Sequence, residues 1–136
     1  MLKTTLITGA TDGIEMNLAQ KMANEGHEVI IHGRNPEKLR KVLSDIQLKS
    51  GNQQVHAYLA VFTKMSDVYH FAHEIESDFQ KIDVLFNNAG LYAGSQRQVT
   101  PEDLERPIAP ELLDKVKIDR YSDPRAENVL KVAREG

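Results

Sequence analysis

The chain has 136 residues, a formal net charge of −3, 40% hydrophobic and 27% charged residues, and no Cys or Trp. That length holds one domain with a real core, and the lack of Cys excludes disulfides, thiolate metal sites and cysteine nucleophiles. There is no basic block and no apolar run of the ~18–20 residues that cross a bilayer, so neither nucleic acid nor a membrane is an expected partner. Met1-Leu2-Lys3 leads straight into a strand-like run, so no signal peptide is expected and the expected location is cytoplasmic.

Strand-like and helix-like segments alternate along the chain. Leu2 to Thr8 reads as a strand. Gly13 to Glu25 reads as a helix with Ile14, Leu18, Ala19 and Met22 on its apolar face, stopped by Gly26. Glu28 to His32 holds the buried-type run Val29-Ile30-Ile31. Asn35 then stands in an N-cap position before Pro36, and a helix runs to about Lys49. Gln54 to Val61 is a weaker strand. Ser66 is the expected cap of a third helix, whose stripe of Val68, Phe71, Ala72, Ile75 and Phe79 has helical spacing. Ile82 to Phe86 is a fourth strand. Strands alternating with helices predict a parallel sheet covered on both faces, and near-continuous apolar strands agree.

Beyond Phe86 the pattern loosens. Asn87 to Thr100 is loop-like, Thr100-Pro101-Glu102 resembles a helix start, and Pro110 to Val116 reads as a short helix. Lys117 to Tyr121 is a short fifth strand. Asp123 and Pro124 open a last helix with Ala126, Val129, Leu130 and Ala133 on its apolar face. The expected fold is therefore α/β, a doubly wound three-layer α/β/α sheet of four or five strands, in a single domain over residues 1–136.

The stretch Thr8-Gly9-Ala10-Thr11-Asp12-Gly13-Ile14 lies between the first strand and the first helix. A dinucleotide pyrophosphate docks at such a turn, because glycines let the backbone approach the phosphate and the helix N-terminus offers free N–H groups. The alternative is a plain strand-to-helix turn. Twenty residues after Gly13, where an acid would bind a free ribose hydroxyl, stand Gly33 and Arg34. An Arg there suits a 2′-phosphate, hence NADP rather than NAD. Taken alone, Arg34 is equally readable as a surface residue at a strand end.

Together these residues resemble the short-chain dehydrogenase/reductase family. Gly9 and Gly13 match its T-G-x-x-x-G-I-G turn, and Asn87-Asn88-Ala89-Gly90 is similar to its N-N-A-G motif after the fourth strand. The run Val29 to Leu39 resembles its NADP-using members. The resemblance covers residues 1–104, and residues 105–136 form a divergent tail. It implies a Rossmann-like sheet of order 3-2-1-4 with cofactor across the strand carboxyl ends. Gly9, Ala10, Thr11, Asp12, Gly13 and Ile14 would hold the pyrophosphate, Arg34 the 2′-phosphate, and Asn88, Ala89 and Gly90 the ribose.

Four departures bear on activity. Glu15 stands in place of the family's third glycine and brings a negative charge toward a polyanion, although it also suits the first turn of a helix. Val61 stands where the family has an Asp that contacts adenine, and the adjacent Phe62 reads as core. Tyr58, Tyr69, Tyr92 and Tyr121 are followed four residues later by Phe62, His73, Gln96 and Arg125, so no Tyr-x-x-x-Lys pair exists in this chain. Only 46 residues follow Gly90, too few for the family's remaining strands.

No catalytic residue is therefore assigned. His70, His73 and Glu74 read as a solvated helix face rather than a metal site. The Lys38, Arg40 and Lys41 group reads likewise, and Asp78 and Asp83 read as structural. The leading expectation is a truncated NADP-type nucleotide-binding domain, with binding weakened by Glu15 and Val61. Two alternatives stand beside it. One is a non-catalytic scaffold, a natural fragment or an engineered chain, that has lost the cofactor. The other is an oxidoreductase with a different proton donor, or one completed in trans. An uncovered sheet edge or the helices would be the route to a homo-oligomer.

Overall fold

The computed structural model describes residues 2–11, 13–86, 108–122 and 131–132. Four parallel strands form first: β1 (Thr4–Ile7), β2 (Glu28–Gly33), β3 (Val55–Leu59) and β4 (Lys81–Phe86). Between them run α1 (Gly13–Asn24), α2 (Pro36–Ser50) and α3 (Met65–Asp78). A further helix, α4 (Ile108–Lys115), leads into β5 (Lys117–Ser122), which pairs parallel with β4, and β6 (Lys131–Val132) closes the sheet antiparallel to β5. The order is β3-β2-β1-β4-β5-β6, so the expected 3-2-1-4 order and the fifth strand beside β4 both hold, and β6 extends the sheet past them.

The strand sequences explain the double winding. Adjacent residues on a strand point to opposite faces. Leu6 and Ile30 join Phe71, Ile75, Leu112 and Ile118 on the α3 and α4 side. Ile7, Val29 and Ile31 join Ala19, Val42 and Ile46 on the α1 and α2 side. A strand apolar at every position is thus what two helical layers require.

The helix ends follow local chemistry. The Asn35 side chain accepts the Glu37 and Lys38 N–H groups, each at 3.0 Å, and Pro36 takes the first helical position. Three sequence expectations need correction. Ser66 does not cap α3: Lys64 is the N-cap, and the Asp67 carboxylate accepts the Thr63 and Lys64 N–H groups at 2.8 and 3.1 Å. A carboxylate in the third position reaches back to the cap, which a hydroxyl one residue earlier does not. Ile14 is not on the core face; it is 78% exposed, and Ala19 and Ala23 carry the burial of α1. The last expected helix does not span residues 131–132, which are the strand β6. Cross-strand pairing at the β5 edge outweighs the local helical pattern there.

Candidate functional site

Register brings the expected site residues to one end of the sheet. Ile7 lies beside Ile31 on β2 and Phe86 on β4, and Gly33 lies beside Leu59 on β3. The turn after β1, Arg34 after β2 and Ala60 after β3 therefore emerge together at the strand carboxyl ends. The neighbours of β1 are β2 on one side and β4 on the other, which is where the winding reverses and where ligands bind in open α/β sheets.

The turn is anchored on both flanks. The Thr8 N–H donates to the Phe86 carbonyl at 3.0 Å. The Ala10 N–H donates to the His32 carbonyl at 2.9 Å, and the Gly9 N–H donates to the His32 ring at Nδ1, at 3.1 Å. Those three amides are spent inside the protein. The first N–H groups of α1 have no acceptor within their own helix. Gly9 and Gly13 sit at φ 66° and 65°, a region that side chains disfavour. Among the described residues, a Cβ on Gly13 would meet the Glu15 carboxylate at 3.8 Å and, outside its chain neighbours and its own helix backbone, no other atom within 4 Å. At Gly33 the reverse holds: a Cβ would lie 2.6 Å from Thr11 Cγ2 and 3.2 Å from Leu39 Cδ1. That glycine lets β2 pass under the turn.

His32 is the residue that sequence reasoning missed. It is 3% exposed. Its ring stacks on Phe62, with centroids 5.4 Å apart, and tilts against Phe71 at 5.1 Å. Nε2 lies 3.1 Å from the Ala60 carbonyl. Burial pushes the His32 pKa down to about 4; the Ala60 carbonyl works against that shift and the Arg34 charge adds to it. The ring is neutral at ordinary pH. The available signal was a polar ring at the end of an apolar strand, three residues past the start of Val29-Ile30-Ile31.

A family profile described as short chain dehydrogenase matches residues 3–113. The chain belongs to this family. It is similar to the uncharacterized oxidoreductase YxbG of Bacillus subtilis (strain 168), 37% identical over 124 residues, covering 90% of this chain and 45% of that protein. Among solved structures it is similar to a short-chain dehydrogenase from Sphingobium yanoikuyae in complex with NADPH, with a TM-score of 0.63 and 26% identity over 84% of this chain and 45% of that one. It is also similar to an NAD+-bound xylitol dehydrogenase, with a TM-score of 0.67 and 25% identity over 83% of this chain and 47% of that one. The chain spans less than half the length of the curated relatives it matches.

The other residues fall into place within this short-chain dehydrogenase sheet. Gly9 and Thr11 are buried in the turn, Ile14 projects to solvent at its exit, and Arg34 is exposed beside it. Asp12, Asn88, Ala89 and Gly90 lie outside the described residues. Phe62 is core, as expected, and Val61 is 52% exposed. Tyr58 donates to Asp78 at 2.5 Å, and its pKa is raised, first by burial and then by that carboxylate. Such a phenol holds its proton and is a structural partner. His70 and His73 are exposed, and no group of three metal-ligating side chains exists among the described residues. No helix among them is long and apolar enough to cross a membrane.

Proposed function

We propose that this chain is the dinucleotide-binding part of a short-chain dehydrogenase, with a preference for NADP over NAD. The observation that carries this reading is the turn after β1. Its upstream amides are tied to β2 and β4, its glycines have positive φ, and it leads into the start of α1, at the same end of the sheet as Arg34. This arrangement fits a pyrophosphate. In our reading Gly13, Ile14 and Thr11 would line it, Gly9 would hold the turn in shape, and Arg34 would meet the ribose 2′-phosphate. Asn88, Ala89 and Gly90 would line the ribose by their match to the family motif. When bound, the nicotinamide would supply hydride transfer. The chain supplies binding and orientation. With no Tyr followed four residues later by Lys, we assign it no proton-transfer machinery of its own.

A second reading is a scaffold that has lost the cofactor. Glu15 favours it, because its carboxylate reaches back over Gly13. At an effective dielectric of ~20, two charges 4 Å apart repel by about 4 kcal/mol, an upper bound for a half-exposed side chain.

Calorimetric titration with NADPH and NADH separates the two readings. Saturable NADPH binding is expected, tighter than NADH. Arg34→Ala should weaken NADPH about tenfold and leave NADH unchanged, and Glu15→Gly should tighten both by about tenfold or more. Binding of neither ligand at millimolar concentration, by the natural sequence and by Glu15→Gly alike, would leave the scaffold reading.

A further inference from the structure

His32 is a costly residue where it stands. It lies between Phe62 and Phe71 in an apolar layer, where Leu or Phe would fill the space without polar atoms to satisfy. Both ring nitrogens are nevertheless satisfied, and by the backbone of two different loops. The Gly9 amide has a hydrogen to give, so Nδ1 must be the acceptor and the ring proton resides on Nε2. From there it donates to the Ala60 carbonyl. The ring thus spans from the turn after β1 to the segment after β3, across its own strand.

We propose that His32 is a positioning residue for the dinucleotide site, its neutral imidazole bracing the glycine-rich turn against the backbone after β3. The proposal rests on the function proposed above and adds to it how the turn is held. With Gly9 N–H committed to the ring, the turn cannot rotate that amide outward, and a phosphate meets only the amides at the start of α1. The same ring ties down Ala60, next to Val61, the position where the family contacts adenine. One neutral group therefore sets the spacing between the two halves of the ligand surface. It adds no charge to a site whose other feature is the exposed Arg34, which exerts a Coulombic influence on the ring. A protonated ring would present N–H to N–H at Gly9 and break the brace, and burial disfavours that state.

Two variants divide the bridge. The Oδ1 of Asn reproduces Nδ1 and reaches Gly9 but not Ala60. The Nε2 of Gln reproduces the ring Nε2 and reaches Ala60 but not Gly9. In the whole chain, His32→Gln should weaken NADPH at least tenfold, whereas His32→Asn should stay within about threefold of the natural sequence. Their unfolding midpoints should be similar, since each loses one hydrogen bond. Equal losses of affinity in the two variants would overturn the positioning role, because a merely structural residue predicts that. Amide exchange and histidine nitrogen NMR of the ligand-free protein supply the second readout. A slowly exchanging Gly9 amide with an Nε2-protonated His32 supports the brace, and a fast-exchanging Gly9 or an Nδ1-protonated ring overturns it. If the natural sequence binds neither NADPH nor NADH, the cofactor reading fails and the site role of His32 fails with it. A protected Gly9 in that case separates this failure from the absence of the brace. If the variants do not fold, the NMR measurement on the natural sequence decides.

Discussion

The two ends of the parallel sheet are built from opposite chemistry. At the amino ends of the strands, charges are paired. Lys81 meets Asp83 at 3.4 Å and Asp119 at 3.0 Å, Glu28 meets His56 at 2.9 Å and the Thr4 hydroxyl at 3.1 Å, and the Thr4 N–H donates to Asp83 at 2.7 Å. Burial opposes the Asp83 charge, but the Thr4 amide and Lys81 together outweigh it and hold its pKa below the ordinary carboxylate range. At the carboxyl ends the turn is held by backbone groups and a neutral ring instead. Side chains that neutralise each other make a stable edge. A rim braced by backbone groups and a neutral ring adds no fixed charge of its own beside the turn. In the α/β architecture this division of labour follows from geometry, since only the carboxyl ends face helix N-termini.

The contrast can be broken at either end. The largest effect expected is the pH dependence contributed by His32. Its folded pKa of about 4 lies below the ordinary value of 6.5. Between these values the unfolded chain binds the extra proton, so stability is complete above about pH 6.5, falls as pH drops toward 4, and levels off below. The shift is worth about 3 kcal/mol in total. Urea unfolding near pH 7.5 and near pH 4.5 should show a loss about 2 to 3 kcal/mol greater for the natural sequence than for His32→Asn. Asp83 does not obscure this window. Its depressed pKa places its contribution above the ordinary Asp value, to be lost only at lower pH.

Next in size is Gly33→Ala, whose methyl would stand 2.6 Å from Thr11 Cγ2. We expect a loss of about 2 kcal/mol by urea unfolding, and recovery of part of it on adding Thr11→Ser, which removes that contact atom. NADPH affinity should fall with Gly33→Ala because the turn itself must shift. The smallest effect is expected at the opposite end. Asp83→Ala removes the acceptor of the Thr4 amide and should cost about 1 kcal/mol, with NADPH affinity unchanged in calorimetry. A change in affinity there would show that the two ends are coupled and would remove the distinction drawn above.

How much of this was legible depended on how local the determinants are. Asn35 and Pro36 announce the start of α2 because a cap acts on amides two and three residues away. The stripe Val68, Phe71, Ala72 and Ile75 announces the buried face of α3 for the same reason. The turn and Arg34 were legible from spacing, since a strand, a tight turn and a helix set that spacing. Ile14 was misread because helical periodicity says which residues share a face, and only the docked helix shows that its first turn leaves Ile14 exposed. Ser66 was misread because the helix starts one residue before it, at Met65, where the Asp67 carboxylate holds the Thr63 and Lys64 amides. His32 gave almost no signal, since its partners Gly9 and Ala60 lie 23 and 28 residues away in sequence.

By itself the sequence determined the alternation of strands and helices, the Asn35 cap of α2, the glycine-rich turn and the family. Each of these is encoded by residues within a few positions of one another. Only the tertiary structure decided that β6 extends the sheet beyond β5, that Ile14 faces water, and that an imidazole bridges the turn to the segment after β3. Those outcomes depend on contacts between distant segments, where burial and the demand that every buried polar atom find a partner outweigh local preference.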